Sequence, residues 1–395
     1  MDRSGATARS RATAGVRSGI DSDTGMRAVV PPIYLSTNYS FAGLHARGPY
    51  DYSRSANPTR DLLGDALTEL DGGAGAVVTA SGMGAITTVL MACVPAGGTV
   101  LAPHDAYGGT WRLLDALASR GQFTLELTDL TAPDAPARVA EIAPDLLWVE
   151  TPSNPLLGIS DIAGLSAAAH GVDAIVAVDN TFCSPVLQRP LAHGADVSVQ
   201  SSTKYLNGHS DVVGGVAVAA TAELADQLRW WGNCLGVTGG GFDAYLTLRG
   251  VRTLHVRMRQ HLENAAAFVA AVRDHPAVAR LHYPGLPDHP GHDLAARQMD
   301  GFGAIVSVEL AGGQAAVAAL LDGLTCYSLA ESLGGVESLV CHPSSMTHAA
   351  MPPHVQAAAG LRPGLVRFSL GIEDADDLIV DVLAGLDRAA AASGR

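Results

Sequence analysis

Along the chain, short apolar runs alternate with segments whose apolar positions recur at helical spacing. AVVT, TVLAP, DLLWVE, AIVAVD and DVSVQ are separated by amphipathic stretches, a pattern that predicts an α/β fold. Runs such as AIVAV are apolar at every position, as strands covered by helices on both faces of a parallel sheet must be. Asn57-Pro58 offers an N-cap followed by an N1 proline, and Leu62, Leu63, Ala66, Leu67 and Leu70 then fall on one face of the helix this predicts. Residues 1–56 show no sustained periodicity and hold Pro31, Pro32, Gly43 and Gly48, so they read as an extended arm. A helix is expected from about Phe242 to Arg273, leading to a smaller C-terminal region with strands near GAIVSVEL and LVRFSLG. The last helix should carry Leu378, Ile379, Val382, Leu383 and Leu386 on its buried stripe, with Glu373, Asp374, Asp376 and Asp377 at its positive end.

The length of 395 residues adds that two or three domains are present. Hydrophobic residues make up 48% and charged residues 16%, which excludes a disordered chain. A formal charge of −14 opposes a phosphate backbone, so no nucleic-acid partner is expected, and no anionic membrane surface either. No window is apolar for the length of a membrane span, and the basic opening MDRSGATARSRATAGVR lacks the apolar stretch of a secretory signal, so a cytoplasmic protein is expected. Cys93, Cys183, Cys234, Cys326 and Cys341 are scattered and never spaced as CxxC; they read as reduced core thiols. His289 and His292 sit in a Pro/Gly-rich loop without metal-site context, and no metal is expected.

Chemistry concentrates at strand ends. Ligands of open α/β sheets lie beyond the carboxyl ends of the strands, where Asp179 closes AIVAVD; the position suits a functional carboxylate and a turn or cap residue equally. QSSTKYLNGHSDVVGG puts Lys204 among hydroxyls just after DVSVQ and before a glycine-rich turn. Hydroxyls for a phosphate and an amine for a carbonyl are what a phosphate-bearing aldehyde needs, and burial releases the neutral nucleophilic amine. SGMGAI, from Ser81 with Gly82 and Met83, opens an apolar helix reaching Cys93, and a helix start attracts phosphate. It lacks the third glycine of a dinucleotide motif, and GxxxxGK is absent from the lysine segment.

The phrases DYSRSANPTRD, APHDAYGGT, ETPSNPLLG, VDNTF, SSTKYLNGHSDVVGG, ESLGGVESL and RFSLGIED occur in this order, and together they resemble the Cys/Met-metabolism family of fold-type I pyridoxal 5′-phosphate (PLP) enzymes. The resemblance implies a mainly parallel seven-stranded sheet flanked by helices. It further implies an arm over 1–56 that contacts a neighbouring subunit, a PLP-binding large domain over 57–260, and a smaller α/β domain over 261–395. Lys204 would carry PLP as a Schiff base and move protons; Asp179 would pair with the pyridine nitrogen; Tyr107 would stack on the ring. Ser81, Gly82, Met83, Ser201 and Thr203 would hold the phosphate, with Tyr52 and Arg54 reaching it from a neighbouring subunit of a homotetramer. Arg367 would grip the substrate carboxylate beside Asn154 and Ser332.

Within the family, WWGNCLGVTGGGFDAYLTLRGVRTL, AGVRSG and HPSSMTHAAM most resemble the bacterial cystathionine γ-synthases. Gly109 stands where methionine-degrading lyases carry cysteine. This implies replacement of the acyl group of O-succinyl-L-homoserine, or another O-acylhomoserine, by L-cysteine. Glu331 and Asp51 would seat the cysteine, and Arg112 and Arg54 would meet the succinyl carboxylate. A cystathionine γ-lyase, a related γ-eliminating or γ-replacing enzyme of secondary metabolism, and a non-catalytic binding protein are the alternatives.

Overall fold

The computed structural model describes residues 9–349 and 351–394; residues 1–8 of the expected arm, and Ala350 and Arg395 of the expected small domain, lie outside them. Seven strands form the first sheet: β1 (Gly75–Thr79), β2 (Thr99–Pro103), β3 (Thr124–Thr128), β4 (Leu146–Glu150), β5 (Ile175–Asp179), β6 (Val197–Gln200) and β7 (Gly215–Ala219), in the order β1-β7-β6-β5-β4-β2-β3. Strands β2 to β6 pair in parallel, and β7 runs antiparallel to both its neighbours. The mainly parallel seven-stranded sheet implied by the sequence is therefore present. The five apolar runs form strands within a residue of their expected limits, and Leu146 to Val149 are 0% exposed, as a strand covered on both faces requires.

A second sheet has the order β10-β11-β12-β9-β8, built from β8 (Val278–His282), β9 (Ile305–Leu310), β10 (Tyr327–Leu329), β11 (Ser338–Cys341) and β12 (Leu365–Ser369). The final helix, Ala375–Ala392, covers it with Leu378, Val382 and Leu386 buried and Ile379 and Leu383 half-buried. Asp374 caps that helix, whereas Glu373 turns away and accepts from the backbone N–H and hydroxyl of Ser338.

Asn57 caps the helix Pro58–Asp71 as its sequence requires, its side chain accepting from the N–H groups of Thr59 and Arg60. Three expectations need correction. The arm is not wholly extended: Arg11–Arg17 forms a helix packed on Pro58–Asp71, with Arg11 donating to the carbonyls of Pro185 and Val186. The long helix is two helices, Gly241–Val251 and Leu254–Val272. The Gly250 carbonyl accepts from the Thr253 hydroxyl and from Arg257 Nη2, and a Cβ on Gly250 would collide with the Asn207 carbonyl, so this turn belongs to tertiary contacts. The cysteines are all free, yet Cys234 is exposed and only Cys93, Cys183 and Cys341 are buried.

Asp71 ends its helix 1% exposed, near the carboxyl end of β6, where Gln200 donates to it at 2.9 Å. Burial pushes its carboxyl up to about 7, against the opposing effects of Ser198, Gln200 and Arg189. An acid whose folded pKa lies above its unfolded value binds its proton more tightly when folded, so stability falls as pH rises from about 4 through 7. Asp71→Asn removes that dependence. In thermal melts the variant should gain about 1–3 kcal/mol on the parent between pH 5 and pH 8; an unchanged difference contradicts the reading.

Candidate active site

A cavity of about 350 Å³ lies beyond the carboxyl ends of β4, β5 and β6 and is closed from the other side by the segment around Glu331 and by β12. Its walls bring together Ser81, Gly82, Met83, Tyr107, Asn154, Asp179, Ser201, Thr203, Lys204, Glu331, Ser332 and Arg367. A larger cleft of about 660 Å³, flanked by Arg273, Arg280 and His289, contains none of the expected site residues.

Lys204 sits in the turn after β6, and its Nζ donates to the Ser332 hydroxyl at 2.6 Å. Burial, and next the Arg367 guanidinium, push its ammonium down to about 8, while Glu331 opposes them. An amine so poised is a nucleophile and a proton carrier near neutral pH. Arg367, central in β12 and 3% exposed, donates Nη1 to Asn154 Oδ1 at 2.7 Å and Nη2 to the Ser332 carbonyl at 2.8 Å. Its buried Nε has no protein acceptor. Ser332 itself holds φ at +96°, unfavourable for a residue with a β-carbon, and its hydroxyl and carbonyl are taken up by Lys204 and Arg367.

One corner of the cavity is built by the start of the helix Gly82–Cys93. Ser81 caps it through its hydroxyl to the Gly84 N–H at 3.0 Å, and the N–H groups of Gly82 and Met83 have no preceding helical carbonyl to meet. Only glycine permits the approach: a Cβ on Gly82 would lie 2.9 Å from Ser201 Cβ, and one on Gly215 would collide with the Ser81 carbonyl. The Thr203 hydroxyl accepts from the Gly214 N–H at 3.0 Å and donates to its carbonyl at 3.2 Å.

Asp179 closes β5 and accepts from the Thr181 N–H at 2.9 Å; burial raises its carboxyl above the ordinary range. Tyr107 precedes the helix Gly108–Ser119 and is 41% exposed at the cavity. Burial, and secondarily Glu331, raise its phenol, so the hydroxyl keeps its proton at neutral pH. Gly109 leaves room for the ring: a Cβ there would lie 2.5 Å from Tyr107 Cε1.

Four expected residues do not line this cavity within one chain. Asp51 pairs with Arg47 at 3.1 Å, Tyr52 is 44% exposed, and Arg54 donates to the Asn233 carbonyl at 2.9 Å, all in the irregular segment after the first helix. Arg112 is exposed one turn along the helix that Tyr107 precedes. Conversely, Glu150, Thr181 and Thr347 line the cavity without having been expected there. Glu150 was accessible to the rule that found Asp179, because it closes DLLWVE as Asp179 closes AIVAVD. Among the described residues, no three His, Cys, Asp or Glu side chains converge as a metal site would require, and no helix is long and apolar enough to cross a membrane.

The donor set fits a phosphorylated pyridine aldehyde. With such a group bound, a helix start and the Ser201 hydroxyl would suit its phosphate, Lys204 its carbonyl, Asp179 its ring nitrogen and Tyr107 its ring face. Known proteins are similar to this chain along nearly its whole length. A cystathionine γ-synthase of Escherichia coli (strain K12) is 50% identical over 377 residues, 95% of this chain and 98% of that protein. A cystathionine γ-lyase of Dictyostelium discoideum is 40% identical over 376 residues, 94% of this chain and 96% of that protein. The crystal structure of cystathionine γ-synthase from Xanthomonas oryzae pv. oryzae in complex with cystathionine superposes with a TM-score of 0.96 at 57% identity, over 98% of this chain and 100% of that one. With the profile of the family described as Cys/Met metabolism PLP-dependent enzyme matching residues 12–387, the chain belongs to that family of PLP-dependent enzymes.

Proposed function

We propose that this enzyme catalyses γ-replacement: O-succinyl-L-homoserine and L-cysteine give L-cystathionine and succinate, with release of the thiol proton. The observation that carries the reading is the identity to cystathionine γ-synthases along nearly the whole chain. The arrangement around Lys204 supports it.

PLP, when bound, supplies an electron sink that acidifies the substrate Cα–H and spreads the charge that develops as the acyl group departs. Arg367 would orient the amino acid through its α-carboxylate, using guanidinium N–H groups not taken up by Asn154 and Ser332. Lys204 Nζ would take the Cα proton and hand it on, which frees the amine to take a Cβ proton as succinate leaves Cγ, and it would return protons to carbon once the cysteine sulfur has added at Cγ. Asp179 would hold a proton at the ring nitrogen, and Tyr107 would cover the ring. Ser81, Gly82, Met83, Ser201 and Thr203 would hold the phosphate.

Asp51, Tyr52 and Arg54 complete the site from a neighbouring copy in this reading. Supporting it, Met26, Leu35 and Leu44 of the same segment are 90%, 72% and 89% exposed, an apolar surface that a second copy would cover. The working form is a homotetramer with shared sites, acting in the cytoplasm. Its parts are an arm over 1–56, a cofactor-binding domain over 57–260 and a small domain over 261–395. Glu331 and Asp51 seat the incoming cysteine, and Arg112 and Arg54 meet the distal succinyl carboxylate.

The test compares two substrates in one variant. A guanidinium can pair with the succinyl carboxylate and has no such partner in an acetyl group, so Arg112→Ala should lower kcat/KM for O-succinylhomoserine roughly tenfold more than for O-acetylhomoserine. Equal losses remove the succinyl assignment. Faster cleavage of cystathionine to cysteine and 2-oxobutyrate than synthesis from either ester makes the enzyme a γ-lyase instead.

A further inference from the structure

Glu150 closes β4 at the level where Asp179 closes β5, the two residues paired in register on adjacent parallel strands. Equal register sends both side chains to the same side of the sheet. Glu150 is 6% exposed at the cavity wall, and no step above uses it. Its oxygens are engaged separately: Oε2 accepts the Tyr107 backbone N–H at 2.6 Å, and Oε1 accepts the Trp148 indole N–H at 3.0 Å. Tyr107 stands at the start of its helix without a side-chain cap, so a carboxylate from a neighbouring strand anchors that start. Burial, and next the proximity of Asp179, push the Glu150 carboxyl upward. Retaining an acid in so unfavourable a place is understandable where its two bonds set the position of something else.

We propose that Glu150 is a positioning residue: by accepting the Tyr107 backbone N–H beside Asp179, it fixes the Tyr107 ring relative to the Asp179 carboxyl. The residue covering the cofactor ring and the residue meeting its nitrogen then form one rigid unit. The inference rests on the cofactor reading given under the proposed function.

Glu150→Gln tests it, because an amide has one acceptor oxygen and its NH₂ must face the other N–H donor. Adding Trp148→Phe removes the indole donor and frees the new amide oxygen to accept from the Tyr107 N–H. In the holoenzyme, Glu150→Gln should lower kcat at least about tenfold, with KM for the acyl-homoserine within about twofold because Arg367 is untouched. The visible circular dichroism of the bound cofactor should weaken with it. The double variant should recover most of the dichroism and of kcat relative to Glu150→Gln. Parental dichroism and kcat in Glu150→Gln overturn the proposal, and so does a double variant no better than the single one. Should Glu150→Gln not fold, Glu150→Asp carries the test. Its carboxylate is one methylene too short to keep the Tyr107 N–H bond, so the same fall in kcat at steady KM is expected, and parental kcat overturns the proposal. Borohydride labelling of Lys204 in the parent is read separately: its absence sinks the cofactor reading, whereas a labelled parent with an unaltered Glu150→Gln sinks only the positioning role.

Discussion

Lys204→Ala is expected to fold like the parent and to lose turnover by at least about 100- to 10,000-fold, the range of a lost general acid–base group. The side chain makes one polar contact, to the Ser332 hydroxyl, and its charged form is disfavoured by burial and by Arg367. Removing it therefore relieves an electrostatic penalty, and the thermal midpoint of the cofactor-free protein should not fall. Function loses more, because one nitrogen is proposed both to anchor the cofactor and to carry the protons. Steady-state turnover, with melts of both proteins stripped of cofactor, checks both parts. Near-parental turnover in the folded variant contradicts the role assigned to Lys204.

Arg367→Leu should lower kcat/KM for the acyl-homoserine roughly 10- to 150-fold, corresponding to about 1.5–3 kcal/mol for a charge-assisted contact to the substrate carboxylate. Arg367→Lys should recover little, since an ammonium cannot reproduce the fork that holds Asn154 and Ser332 while presenting another N–H to the ligand. The distinguishing measurement uses an amine analogue without the α-carboxylate. The parent should strongly prefer the amino acid, and the leucine variant should lose that preference. An equal loss on both compounds would mean that Arg367 acts only by holding up the site.

Much of the large sheet was legible because buried parallel strands must be apolar at every position, which AIVAV and LLWV satisfy. Strand β3, Thr124–Thr128, was not, because it lies at the sheet edge with Thr124, Glu126 and Leu127 exposed, and nothing in TLELT demands burial. Strand β7 was hidden behind Gly214 and Gly215, which read as turn residues. Their absent side chains in fact allow close approaches, to the Ser202 hydroxyl and the Ser81 carbonyl respectively. At the break after Val251, Gly250 packs against the Asn207 carbonyl, a tertiary contact that helical periodicity does not encode.

The candidate site divides in the same way. Strand-end position made Asp179 a candidate, with a turn or cap residue fitting equally well, and the hydroxyl-rich turn made Lys204 one. The partnerships could not be found this way: Lys204 meets Ser332 across 128 residues and Arg367 meets Asn154 across 213, joining the two sheets. Family resemblance supplied those residues, and the cavity shows them converging. Asp51, Tyr52 and Arg54 sit on an arm whose contacts within one chain leave them away from the cavity, so their proposed roles depend on a second copy.

The central claim is that Lys204, the one lysine in the sequence, carries the cofactor, and the direct measurement is borohydride reduction of the purified enzyme followed by peptide mass mapping. The account predicts loss of the yellow colour and a reduced phosphopyridoxyl group on Lys204, absent from the Lys204→Ala protein. A reduced adduct confined to the N-terminal amine, or an unmodified Lys204 in enzyme that turns over substrate, would contradict it.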